Sequence, residues 1–283
     1  MIKEKNRKWN YDLAIKKIKK DGYFVFENFF SKDNIKEIKN SLLETLNYIK
    51  RDNEKDLAKK YFKIKKFNKK LKGNWYDMAR YNLTLYKFLH SQDAITLVKK
   101  FFKSNVIFSA RPAIHVHDST NDFLLEPHQE TAAFSRDGIL LWAPMFDTNR
   151  NNGGLTIWKN SHKHGFFPHK IEPPEQLLHL NKKQKKDPTG KKVWTKDYTN
   201  IDKSIYSQFE KINLSVKAGS AVFMINRMIH AGYPIKSKNK IRLTLTERFN
   251  PLQNLPYLKK ENAPQTTPYT TDLNKINFDR FSI

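Results

Sequence analysis

The sequence predicts a mainly β fold with N-terminal helices, in which an antiparallel sandwich or barrel is backed by the helical part. Three observations carry this. Apolar residues recur at helical spacing in the first hundred residues, and from about residue 105 the period changes to two. Helices come first and strands later, without the strand–helix alternation that builds a parallel sheet. No internal repeat or linker divides the chain, so residues 1–283 are expected to form a single domain. Its parts are a helical region over 1–104, a β core over 105–250 and a C-terminal extension over 251–283.

The elements follow in order. "NYDLAIKKIKKDG" (10–22) has an apolar stripe at helical spacing and stops at Gly22. "YFVFENFF" (23–30) is short and aromatic, which suits a strand. "SKDNIKEIKNSLLETLNYI" (31–49) opens a second helix with Ser31 as its N-cap. A basic segment from Lys50 to Lys72 carries no clear pattern, and "GNWYDMARYN" (73–82) is too irregular to classify. "QDAITLVKKFF" (92–102) is a further helix. The strand candidates are "VIFSARPAIHVH", "GILLWAPMFD", "GGLTIWK", "INLSVKAGSAVFMIN" and "IRLTLTERFN", separated by Gly, Asn, Asp and Lys-rich turns. In the last of these, Arg242, Thr244, Thr246 and Arg248 share one face, while Ile241, Leu243, Leu245 and Phe249 share the other. Such a strand either lies at an edge facing water or lines a polar cavity with its apolar face under the helices.

Composition narrows the chemistry. There is no cysteine, which excludes disulfides, thiolate metal sites and cysteine nucleophiles, so any metal must be held by nitrogen and oxygen. No run of apolar residues is long enough for a membrane span, and the charged start "MIKEKNRKWNYDLAIKKIKKDG" lacks the apolar centre of a signal peptide. A cytoplasmic protein is expected. The formal net charge of +25 raises nucleic acid as a partner. The lysines, however, are spread over helical faces and the loop from Asn181 to Lys196, which reads as a solvated surface, so nucleic acid is not expected. The charge would still draw an anionic small molecule.

In an extended segment, His128 and Glu130 fall on the same side, as two ligands of one metal would. His230 follows an apolar strand and a turn about a hundred residues later and supplies a third candidate. Two histidines and one carboxylate form the facial triad of non-haem iron oxygenases, which leaves three coordination positions open. Glu126 alternates with His128 as well and is a competing carboxylate.

Five stretches reinforce this pattern: "HQE" (128–130), "NGGLTIWKNSHK" (152–163), "AGSAVF" (218–223), "HAGYP" (230–234) and "KIRLTLTERF" (240–249). In this order and spacing the chain resembles the phytanoyl-CoA dioxygenase family of iron(II)- and 2-oxoglutarate-dependent oxygenases, whose core is a double-stranded β-helix, or jelly roll. The resemblance implies that His128, Glu130 and His230 bind Fe(II), with dioxygen and 2-oxoglutarate as co-substrates. It also implies that Arg242, twelve residues after His230, pairs with the far carboxylate of 2-oxoglutarate. A guanidinium suits this, because its planar fork matches a carboxylate and keeps its charge. Gln129 and Trp142 match positions that help hold the co-substrate in relatives, and Thr244 is placed to give that carboxylate a second hydrogen bond.

The family's usual carboxylate is aspartate, so Glu130 adds a methylene. Where relatives lack this carboxylate, a halide can bind; its presence here argues against a halogenase. Hydroxylation of a C–H bond, with release of succinate and carbon dioxide, is the implied reaction. Arg111, His115 and His117 share a strand face that, by analogy, looks toward the metal. Arg111 and His115 either touch substrate or are satisfied polar residues at a barrel rim. The residue types leave two alternatives open: a non-catalytic basic jelly roll holding a polyanion, and a cupin-like metal enzyme that does not use 2-oxoglutarate.

Overall fold

The computed structural model describes residues 9–68, 71, 75, 81–109, 112–120, 126–130, 138–167, 169–170 and 200–251. Helix α1 (Tyr11–Asp21) is capped by the Asn10 side chain, which accepts from the Leu13 amide, and ends on Gly22. There φ is +87°, a backbone that glycine adopts without strain. Strand β1 (Tyr23–Phe26) is shorter than the aromatic run suggested, because the chain turns at Asn28 with φ +54°. In α2 (Lys32–Ile49), Ser31 is the N-cap as expected and completes a capping box with Asn34.

The basic segment holds a further helix, α3 (Leu57–Lys65). Its Leu57, Tyr61 and Ile64 are buried at helical spacing, but the intervening lysines masked the stripe. Lys60 is fully buried and reaches Asp52 at 2.7 Å. Helices α4 (Leu83–Leu89) and α5 (Gln92–Phe102) complete the N-terminal layer.

The strands are β2 (Ile107–Ser109), β3 (Ala113–His117), β4 (Ile139–Pro144), β5 (Leu155–Trp158), β6 (His169–Lys170) and β7 (Asn200–Ile201). After a short helix α6 (Lys203–Tyr206) come β8 (Lys211–Leu214), β9 (Ala221–Ile225), β10 (His230–Gly232) and β11 (Arg242–Pro251). Two expected strands therefore split. "VIFSARPAIHVH" becomes β2 and β3, which both pair with β11, and "INLSVKAGSAVFMIN" becomes β8 and β9, in different sheets.

The pairings described are antiparallel. A six-stranded sheet runs β1-β9-β4-β11-β2 with β3 also on β11, and a three-stranded sheet runs β10-β5-β8. One apolar cluster joins Leu140, Trp142, Val222 and Met224 of the large sheet to Leu155 and Ile157 of the small one, so the two sheets pack face to face. This is the jelly-roll core with N-terminal helices. On the other side of the large sheet, Ile114, Val116, Leu141, Leu243, Leu245 and Phe249 pack with α1, α2 and α5. β11 is central, and its polar face is buried between the sheets: Thr244 is 1% and Thr246 3% exposed. The strand is therefore not an edge facing water, and its polar face is turned inward. The apolar face carries one exception, Glu247, which is fully buried with His90 Nε2 3.3 Å from its carboxylate.

Candidate metal centre

Backbone pairing sets the site. His128 and His230 form an isolated antiparallel bridge, and the Glu130 amide donates to Asn226 O at 2.9 Å. Segment 126–130 is thus held extended against the turn before β10, and His128 and Glu130 fall on one side of it. The ligand-type atoms of His128, Glu130 and His230 lie within 4.8 Å of one another, the one such group among the described residues. Glu126 is exposed and does not join them.

Each histidine is oriented in the same way. His128 Nδ1 lies 2.7 Å from Glu126 O, and His230 Nδ1 lies 3.0 Å from Met228 O. A carbonyl can only accept, so Nδ1 carries a proton in both rings and Nε2 is the nitrogen turned to the site. Burial, with the neighbouring His230, pulls the His128 pKa down from 6.5 to about 3, so this ring is neutral at neutral pH. Burial alone would raise the Glu130 pKa. Arg248 and His230 more than offset it, and the carboxyl is held well below its usual range. The neutral His128 ring, the His230 imidazole and one carboxylate make a two-nitrogen, one-oxygen donor set that a divalent iron takes.

Arg242 points from β11 into the same inter-sheet space and is 4% exposed. Its Nη1 donates to Gly153 O at 3.1 Å and, less closely, to Gly154 O at 3.4 Å, while Nε is buried with no partner among the described residues. Burial lowers its pKa from 12.5 to about 10, and no carboxylate acts against that shift. A Cβ on Gly232 would meet Nη1 and Nη2 at 2.6 Å, so the glycine of "HAGYP" leaves room for the guanidinium. A buried cation that no described carboxylate neutralises is a site for an anion.

His115 connects the two halves. It stands opposite Thr244 in the β3–β11 register, with His117 opposite Arg242. Burial takes its pKa from 6.5 to about 3; Arg248 and Arg242 lower it and Glu130 raises it, so it faces both the donor cluster and the guanidinium ions. Thr244 lies on the same face and sends its hydroxyl toward His115 O at 3.4 Å. Trp142 is also on that face, between Thr246 and Val222.

Gln129 departs from its expected role. Alternation turns its side chain away from the ligand side, where Nε2 donates to Gly165 O at 2.8 Å and Arg227 O at 2.5 Å and Oε1 accepts from the Phe167 amide at 2.9 Å. The amide bolts three loops together and is committed to backbone groups. Sequence reasoning gave Arg248 no role, although it shares the face of Arg242; its Nε donates to Glu130 Oε2 at 2.5 Å. Arg111 and the Asn181–Lys196 loop lie outside the described residues, as do most of 73–82 and the extension beyond Pro251.

No protein of curated function matches the chain in sequence. Solved structures match its fold at low identity. The epimerase SnoN, in complex with Fe3+, alpha ketoglutarate and nogalamycin RO, is 12% identical with a TM-score of 0.55, covering 84% of this chain and 82% of that one. HygX from Streptomyces hygroscopicus, with nickel and 2-oxoglutarate, is 11% identical with a TM-score of 0.53 and coverage of 85% and 86%. EctD from S. alaskensis, with 2-oxoglutarate and 5-hydroxyectoine, is 11% identical with a TM-score of 0.55 and coverage of 85% and 76%. The family model for phytanoyl-CoA dioxygenase matches residues 18–244, which takes in α2 to α5, β1 to β10, the first three residues of β11 and the three donors. The chain belongs to the phytanoyl-CoA dioxygenase family.

Proposed function

We propose that this chain is an iron(II)- and 2-oxoglutarate-dependent dioxygenase that hydroxylates a C–H bond of a small, anionic molecule. The observation that carries the reading is the pairing of two features between the two sheets. One is the convergence of His128, Glu130 and His230; the other is the buried guanidinium of Arg242, which has no carboxylate partner among the described residues. The family and the iron, nickel and 2-oxoglutarate of the similar structures support both cofactors. Those structures include an epimerase and a carbocyclase, so hydroxylation itself is read from Glu130 and from the default outcome of oxygen transfer.

In this reading His128, His230 and Glu130 would hold the ferrous ion. When bound, iron supplies the oxidising chemistry: one oxygen atom of dioxygen enters the succinate formed with carbon dioxide from 2-oxoglutarate, the other the substrate C–H bond. The protein's residues bind and orient. Arg242 takes the far carboxylate of 2-oxoglutarate in its fork, Thr244 adds a hydrogen bond, and Trp142 walls the pocket. The carbonyls of Glu126 and Met228 hold the Nδ1 protons, so neither ligand ring can rotate away. His115, neutral and facing the cleft, offers substrate a hydrogen bond without a charge, and Arg111 is assigned beside it from the sequence. The net charge of +25 draws anions toward the cleft.

An anaerobic titration tests this. Ferrous ion and 2-oxoglutarate together should give a metal-to-ligand charge-transfer band that His128→Ala and Arg242→Ala each abolish, and air should then yield succinate. The competing reading, a basic jelly roll that holds a polyanion without catalysis, requires no band and nucleic-acid binding that falls steeply with salt.

A further inference from the structure

The two carboxylate oxygens of Glu130 face different partners. Oε1 lies 3.4 Å from His230 Nε2, on the donor side, while Oε2 lies 2.5 Å from Arg248 Nε. Both side chains are largely buried, Glu130 at 8% and Arg248 at 18% exposure. A carboxylate binds a divalent ion through one oxygen or through both. With both, Glu130 would fill two positions of an octahedral ion and leave two beside the histidines. A keto acid binding through two atoms, together with dioxygen, needs three.

We propose that Arg248 holds Glu130 Oε2 and so fixes Glu130 as a one-oxygen ligand, which keeps the third open position. The inference rests on the function proposed above and adds a positioning residue to it. Guanidinium suits the task because it stays charged at working pH and has no lone pair to compete for the metal. β11 presents Arg248 on the same face as Arg242, opposite Leu140 of β4, so one strand supplies both guanidinium ions. Side-chain length matters too. An aspartate would draw the carboxylate back by roughly 1.5 Å, one C–C bond, and weaken the contact with Arg248.

The test uses Co(II) as the probe metal and calorimetry for 2-oxoglutarate binding to the Co(II)-loaded protein, with the visible spectrum of Co(II) reporting coordination. Arg248→Met should still bind Co(II), change its spectrum and bind 2-oxoglutarate more weakly by about 10-fold or more, as loss of a group that orients a ligand does. Arg248→Lys should recover part of the affinity, which guards against a folding artefact. In a Glu130→Asp background, Arg248→Met should add little. Unchanged 2-oxoglutarate affinity in Arg248→Met overturns the inference. So does an equal loss in the Glu130→Asp background, because Arg248 would then act on the co-substrate itself. Loss of Co(II) binding in both Arg248→Met and Arg248→Lys overturns it as well. A wild-type protein whose Co(II) binding is indifferent to His128→Ala instead removes the metal site, and the proposed function with it.

Discussion

His128 and His230 exchange both backbone hydrogen bonds, His128 N to His230 O at 3.0 Å and His230 N to His128 O at 2.9 Å. Their rings stand 4.3 Å apart, centre to centre. The main chain thus brings the ligand pair together, and neither imidazole is needed to hold the bridge. We expect His128→Ala and His230→Ala each to weaken ferrous-ion binding by more than about 100-fold, beyond the range seen for groups that only orient a ligand. The thermal midpoint of the metal-free protein should stay near the wild-type value. A large fall in that midpoint would mean that the rings, not the backbone, hold the pairing.

Arg242 should behave opposite to an ordinary buried residue. Its replacement by methionine removes an uncompensated buried charge, so the metal-free protein is expected to be as stable as wild type or more so. The affinity for 2-oxoglutarate should fall by the cost of breaking a buried charge-assisted pair, about 2–5 kcal/mol. Saturating 2-oxoglutarate at a hundred times its wild-type Kd should add about 2.7 kcal/mol to metal-loaded wild type and less than about 1 kcal/mol to the variant. Thermal denaturation with and without the keto acid reads both effects.

Gly232→Ala places a methyl where the Arg242 fork sits, 2.6 Å from both terminal nitrogens. Metal binding should persist, while KM for 2-oxoglutarate rises. Equal KM in variant and wild type would show that the fork moves aside freely.

The metal-free protein should lose stability on acidification through a defined window. His115 and His128 titrate near 6.5 in the unfolded chain and near 3 when folded. Between these values the unfolded state binds more protons, so stability is full above 6.5 and falls as pH drops toward 3. Glu130, whose folded pKa is also depressed, adds to the loss below 4.5. Urea midpoints at about pH 7.5 and about pH 5 measure it, and His115→Phe should cut the difference by about half, since His128 still contributes. A flat wild-type profile would show both rings to be solvated.

Gln129→Ala is expected to destabilise the fold by about 1–3 kcal/mol, since it strands the Phe167 amide and the Gly165 and Arg227 carbonyls. The folded fraction should bind 2-oxoglutarate like wild type. A selective loss of 2-oxoglutarate affinity would return Gln129 to the role its position in the "HQE" stretch suggested.

Sequence alone determined the local facts. A period of two in "IRLTLTERF" put Arg242, Thr244, Thr246 and Arg248 on one face, the spacing of His128 and Glu130 put both on one side, and the order of motifs named the family. Side-chain alternation follows from strand geometry, so these readings need no contacts. Tertiary structure decided what each face meets: the polar side of β11 lies between two sheets, Gln129 turns to loop carbonyls, and Arg248 reaches Glu130. Hydrogen bonds of that kind join residues on separate strands, and a one-dimensional pattern fixes which way a side chain points but not which group stands opposite it.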